Sequence, residues 1–211
     1  MKPLCPSGPV VRFFSLLIVV SLAACASGGS GESGLRPGPQ RLPTLRTQGD
    51  LIIATLPGAT VTVEPLTEKG LDAYYARRST LLNPLKIFSR NTRGLLAFIL
   101  RIQNVGQERI SFDPGQAVLV DQQDHRTVAL SYDELYALFS EQRESALALR
   151  TLEETILTKF LVVPPKLERE GLLLFPPADP KAKAVILEVG SFYVGSAEQL
   201  LLFEFEVRRA P

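Results

Sequence analysis

From residue 50 onward, apolar residues fall in short runs broken by Pro, Gly, Asn and Asp, the pattern of strands separated by turns. Residues 51–56 and 60–66 are two such runs joined by Pro57-Gly58. In the second, Val61 and Val63 alternate with Thr60, Thr62 and Glu64, which predicts a hairpin with one face toward a core. Residues 70–79 predict a short helix. Residues 95–103, apolar on both faces at their start, predict a central strand. The turn Asn104-Val105-Gly106-Gln107 leads into 110–112, and 117–121 and 127–130 follow around the polar turn Gln122-Gln123-Asp124-His125, so a meander is expected.

Ser131-Tyr132-Asp133-Glu134 has the spacing of a capping box: the Ser131 hydroxyl oxygen can accept from the Glu134 backbone N–H while the Glu134 carboxylate accepts from that of Ser131. A helix over about 132–149 is expected, with Leu135, Leu138, Phe139, Ala146 and Leu149 on its packed side and Glu141, Arg143 and Glu144 in water. Residues 151–158 either extend it or begin the next strand. Further runs at 156–163, 171–175 and 184–194 end at Pro-Pro or Gly-Ser pairs, and in a last run at 200–209 Leu201, Phe203, Phe205 and Val207 alternate with Glu204, Glu206 and Arg208. Eight or nine strands with one inserted helix predict a mainly β fold, an antiparallel β-sandwich over 50–211, with a β-barrel as the alternative.

The N-terminal pattern differs. Residues 1–12 carry Lys2 and Arg12 and no acid, 13–20 are apolar apart from Ser15, and the small residues Ala23-Ala24-Cys25-Ala26-Ser27 follow, the layout of a secretory signal over 1–24. The apolar stretch of about 14 residues falls short of the ~20 that a membrane-spanning helix needs. Leu22-Ala23-Ala24-Cys25 resembles the lipobox of bacterial lipoproteins. That resemblance implies a diacylglyceryl group on the Cys25 sulfur, cleavage before it and acylation of its amine, with no cofactor expected besides that covalent lipid and a membrane as its partner. Two or three acyl chains hold stably where one does so only marginally. By similarity to lipoproteins of two-membrane bacteria, Ala26 rather than Asp after the cysteine implies the outer membrane, facing the periplasm. Residues 26–49 are dominated by Gly, Ser and Pro and predict, with Cys25, a flexible linker over 25–49 of about 25–30 Å reach. The alternative is that Leu42 and Leu45 dock on the domain.

Composition narrows the function classes. The chain has 45% apolar residues, enough for a core, and a formal charge of +1 that becomes −1 once Lys2 and Arg12 leave, which does not suit a nucleic-acid partner. Cys5 lies in the signal and Cys25 at the lipid site, so no disulfide or zinc cluster is expected in the domain. Tryptophan is absent, which removes the buried Trp of antibody-type sandwiches.

Residues 96–130, LAFILRIQNVGQERISFDPGQAVLVDQQDHRTVAL, with Asn104-x-Gly106, Pro114 and Leu119-x-Asp121, resemble the immunoglobulin-like sandwich domains of many bacterial lipoproteins and secreted proteins. Val163-Pro164-Pro165 followed by Glu170-Gly171-Leu172-Leu173-Leu174-Phe175 is similar to a later part of that pattern. The likeness implies an immunoglobulin-like fold and supplies no catalytic residue. Other chemistry is thin. His125 beside Asp124 reads as a solvated turn, and Asp113, Asp121 and Asp124 could offer calcium ligands but lack EF-hand spacing. Glu204 and Glu206 share one strand face with Arg208 and read as wet surface rather than a glycosidase pair. Tyr74-Tyr75 with Arg77-Arg78 reads as tyrosine packing with arginines in water. The expectation is a non-catalytic envelope lipoprotein that binds another protein or serves structurally, the alternative being a carrier or sensor of a small apolar ligand or lipid, with its pocket between helix 132–149 and the sheet. Replacing Cys25 with Ser should leave the protein unacylated and move it from the membrane to the soluble fraction on cell fractionation; retention in the membrane with no change would contradict the lipid anchor.

Overall fold

Two faces of apolar residues on one strand must be covered twice, and the architecture follows from that need. The computed structural model describes residues 34–78, 81–87, 94–139 and 145–208. They form twelve strands and four α-helices. The first sheet holds β2 (Leu45–Gln48), β3 (Leu51–Leu56), β4 (Ala59–Leu66), β5 (Leu96–Asn104) and β10 (Glu168–Phe175), in the order β10-β5-β4-β3-β2. The second holds β1 (Gly34–Pro37), β12 (Ala197–Arg208) and β11 (Ala184–Val194) side by side. The other edge of β11 is shared by β6 (Ile110–Phe112), continued by β9 (Leu161–Val163), and β7 (Ala117–Asp121), continued by β8 (Arg126–Val128). A register shift between Val189 and Phe192, where Ser191 takes φ 50°, bends β11 so that two short strands fit along it. Every ladder between these strands is antiparallel, and the sheets do not close into a barrel, which removes the barrel alternative.

Between the sheets Phe98, Leu100 and Ile102 of β5 and Leu173 and Phe175 of β10 meet Val185, Leu187, Leu201, Phe203 and Phe205 of the second sheet. Phe98 stacks edge-on to Phe175 at 5.7 Å and tilted against Phe205 at 5.1 Å, tying the two layers. The alternate residues Ala97, Ile99, Leu172 and Leu174 face the other way and are covered by the helices α1 (Glu68–Ala76), α2 (Pro84–Ile87), α3 (Tyr132–Phe139) and α4 (Ser145–Thr155). The result has three layers: sheet, sheet, helices.

Three expectations need correction. The linker over 25–49 does not hold from Gly34 onward, because Gly34–Pro37 pairs with β12 and Leu45–Gln48 with β3. Strand pairing uses the main chain and so tolerates a Gly- and Pro-rich composition; Leu45 is buried, and Arg36 bridges to Glu206. The expected meander is broken at Asn104, where the chain leaves the first sheet, so that β6 and β7 pair with β11 rather than with β5. Of the helix expected over 132–149, Tyr132–Phe139 and Ser145–Thr155 are helical, with residues 140–144 outside the described ones. In the second segment Ala148 and Leu152 are buried, whereas Ala146, expected on the packed side, is exposed. The capping box forms as expected, Ser131 N–H donating to Glu134 Oε2 at 2.8 Å and Glu134 N–H to Ser131 Oγ at 3.3 Å. Residues 151–155 extend the helix, their Thr151 and Thr155 hydroxyls donating to Leu147 and Thr151 carbonyls at 3.0 and 2.7 Å.

Asn104 locks the crossing between sheets. Its side-chain amide is buried and donates to the carbonyls of Glu108 (2.7 Å) and Val163 (2.9 Å), while its Oδ1 accepts from Gly106 N–H (3.0 Å). Gly106 in turn lies against the hairpin turn at Gly58, so close that a Cβ on Gly106 would stand 2.9 Å from Gly58 Cα. Asn104→Ala should destabilise the domain by about 2–4 kcal/mol through the groups it leaves unpaired, and Asn104→Asp should do nearly as much, since a carboxylate cannot donate. Urea midpoints with an unchanged slope would show this; a shift below about 0.5 kcal/mol would remove the lock from the account.

Candidate ligand cavity

Helix α1 is tied to α4 through Tyr75 and to the first sheet through Arg78. Thr67 caps α1, its Oγ1 accepting from Gly70 N–H at 3.2 Å, and this sets Leu71, Tyr74 and Tyr75 inward. Tyr75 OH donates to Thr155 Oγ1 at 3.1 Å, since the Thr155 hydroxyl proton is already committed to Thr151. Burial pushes the Tyr75 phenol up to about 12. Arg78 lies 3.7 Å from the Tyr74 ring centroid and pairs with Glu170 at 2.7 Å, and Arg101 donates to the same carboxylate at 2.9 Å. Partial burial pushes Glu170 upward, but the hydrogen bonds and charge of Arg101 and then Arg78 outweigh it and hold the carboxyl below its ordinary range. Of the expected pair of wet arginines, then, Arg78 is an anchor of α1, and Arg77 reaches only back to the Ala73 carbonyl.

Between α1 and α2 a polar clip closes the other side. Asp72 accepts from Lys86 Nζ and from Asn83 Nδ2, both at 2.9 Å, and these two partners, Lys86 first, hold its carboxyl below the ordinary value. Asn83 Oδ1 accepts from Leu85 N–H at 3.1 Å and so starts α2. Beneath the clip lies one end of the sandwich. There a cavity of about 400 Å³ opens, at the low end of the ~300–1,000 Å³ of small-molecule sites. Its walls include Leu35, Leu66, Leu71, Leu95, Ala178 and Val207, and its rim carries Glu68, Asp72, Lys86, Asp179 and Arg208. Gly34, the first described residue, is part of the wall, because β1 runs beside β12 in the register Gly34 opposite Arg208 and Leu35 opposite Val207.

The pocket expected between helix 132–149 and the sheet is not where the cavity lies. Leu135, Phe139, Ala148, Leu152 and Ile156 fill that space against Ile99, Leu172 and Leu174, leaving a packed core. Residues 34–37, which wall the cavity, carry no local signal of it, because their Gly- and Pro-containing composition hides a strand.

Other candidates separate. Asp113 caps the turn before β7, accepting from Gly115 N–H at 3.0 Å, whereas Asp121 ends that strand, so the calcium set Asp113, Asp121 and Asp124 does not converge. His125 Nδ1 instead lies 3.0 Å from Asp121 Oδ2, and Asp179 joins them from the loop before β11, the three offering ligand atoms all within 4.8 Å of one another. Asp121 also accepts from the backbone of Gln123 (2.8 Å) and His125 (3.0 Å). Its partial loss of water pushes the carboxyl up, and these bonds, those from His125 foremost, bring it below its ordinary value. The same bonds shape the turn at Asp124, whose φ is 61°. Glu204 faces Arg41 at 3.2 Å and Glu206 faces Arg36, each carboxylate in its own ion pair. Cys25 lies outside the described residues, among which no helix is long and apolar enough to cross a membrane.

No protein-family model and no curated protein matches this sequence. Among solved structures, the crystal structure of the yjhA protein from Bacillus subtilis aligns with 52% of this chain and 73% of its own length, at 15% identity and a TM-score of 0.34. A likeness that slight defines neither a shared fold nor a shared role.

Proposed function

We propose that the chain is a non-catalytic envelope lipoprotein, held by lipid on Cys25 at the periplasmic side of the outer membrane, whose domain takes an apolar ligand into the cavity beside β1 and β12. The observation that carries the ligand reading is the cavity itself: about 400 Å³, walled by aliphatic side chains, with charged groups confined to its rim. The anchor rests on the order basic, apolar, small, Cys over residues 1–25. A kinship with immunoglobulin-like domains belongs to the same reading. It is supported by two face-to-face antiparallel sheets and by the crossing of the chain between them at Asn104.

A second reading, binding of an envelope protein, is favoured by β9. It is an edge strand of the second sheet with Val162 45% exposed, and Phe160 beside it is 63% exposed, so it offers unpaired main chain beside apolar side chains. The two readings part on one comparison. A fluorescent fatty acid should bind the Cys25→Ser chain saturably, and Ala178→Trp, which fills the cavity, should weaken binding at least tenfold without lowering the thermal midpoint by more than a few degrees. Equal binding by the filled variant, or none by either, would contradict the ligand reading, and capture of an envelope protein that is lost with Val162→Lys would then favour the second.

A further inference from the structure

The sequence holds one histidine, and the fold sets it beside two carboxylates that lie 58 residues apart, in separate turns. We propose that Asp121, His125 and Asp179 form a binding site for a divalent transition-metal ion of the zinc class, between the turn joining β7 to β8 and the loop before β11. The site is independent of the cavity and of the lipid on Cys25, and stands whether or not those readings do.

Charge points to a cation there. The three side chains offer ligand atoms all within 4.8 Å of one another, and the Asp121 side chain is only 7% exposed, so water screens its repulsion from Asp179 poorly. Among the described residues no lysine or arginine pairs with either acid. A neutral His125 offsets neither negative charge and an imidazolium offsets one. A bound dication offsets both.

The donor atoms select the ion. Calcium and magnesium take oxygen ligands, whereas imidazole nitrogen suits zinc and its neighbours, which also accept carboxylate oxygen. At zinc–ligand distances of ~2.1 Å, two ligands of a tetrahedral ion stand about 3.4 Å apart. The His125 side chain is 67% exposed and Asp179 is exposed, so both can rotate to close the set around an ion. Three protein ligands leave a fourth position for water.

The ligands are also held in place. Asp121 lies in the β7 ladder opposite Val185, and the N–H groups of Gln123 and His125 engage its Oδ1, which leaves Oδ2 turned to His125 Nδ1 at 3.0 Å. Asp179 Oδ1 accepts from Lys181 N–H at 2.6 Å, and its carbonyl accepts from Ala182 N–H at 2.9 Å. Gln122 Oε1 accepts from Lys183 N–H at 3.2 Å and ties one segment to the other. An ion therefore meets ligands whose ordering is already complete.

The test is a zinc titration of the Cys25→Ser chain, free of any histidine tag and stripped with chelator, read by NMR of the imidazole. With a single histidine the signal is unambiguous. Saturable shifts of the His125 ring at one zinc per chain are expected, with calcium at the same concentration leaving the ring unmoved. Asp179→Asn should weaken binding at least tenfold and leave the metal-free thermal midpoint within a few degrees of the parent. Should that variant be unstable, His125→Gln, at an exposed ring, should show the same loss of bound zinc in equilibrium dialysis. A ring unmoved by zinc, one moved equally by calcium, or undiminished binding by either variant would overturn the site.

Discussion

The strand from Leu96 to Asn104 cannot be half-exposed. Phe98, Leu100 and Ile102 on one side and Ala97 and Ile99 on the other are all buried, and neighbouring β10 repeats the pattern with Leu173 and Phe175 against Leu172 and Leu174. Each buried large aliphatic or aromatic side chain contributes roughly 1.5–3 kcal/mol relative to exposure, so leaving either face bare would remove more than the few kcal/mol by which domains are stable. The first sheet therefore needs two covers. The second sheet is one; the helices inserted between β4 and β5 and between β8 and β9 are the other.

The two covers differ in how they are held. The sheets meet over a continuous aromatic and aliphatic core, with Asn104 fixing the point at which the chain passes from one to the other. The helical cover has an apolar cluster of its own on Ile99, Leu172 and Leu174, and adds discrete polar contacts: Tyr75 of α1 on Thr155 of α4, and Arg78 on Glu170 of the sheet. Over the middle of the sheet Leu135, Phe139 and Leu152 pack closely on it, and at one end the Asp72 clip between α1 and α2 stands over the cavity.

Much of this was legible in the residues. The hairpin at Pro57-Gly58, the strands over 110–112, 117–121 and 184–194, the alternation in the last strand and the two-sided burial of β5 all follow from periodicity, because side-chain period reports burial directly. What was not legible depended on partners distant in sequence. Gly34–Pro37 has no apolar alternation of its own and is a strand because β12 offers it a ladder. Asn104-Val105-Gly106 looks like a hairpin turn and is a crossing, since the Asn104 amide finds the Val163 carbonyl 59 residues away. The cavity was misplaced for the same reason: amphipathic spacing showed that residues 132–149 pack on a sheet, and dense packing of Leu135, Phe139 and Leu152 leaves no room there. Asp179 reached Asp121 and His125 from a proline-rich loop in which no local pattern marks it.

The place on which the proposed role rests is the end of the sandwich where Gly34 and Leu35 pair with Arg208 and Val207 and the cavity opens. Methyl-resolved NMR of the Cys25→Ser chain during titration with dodecanoate tests that place most directly. Saturable shifts confined to the methyls of Leu35, Leu71, Leu85, Leu95 and Val207, with Leu135 and Leu152 unmoved, are the predicted result. Shifts centred on Leu135 and Leu152, or none at saturating ligand, would contradict it.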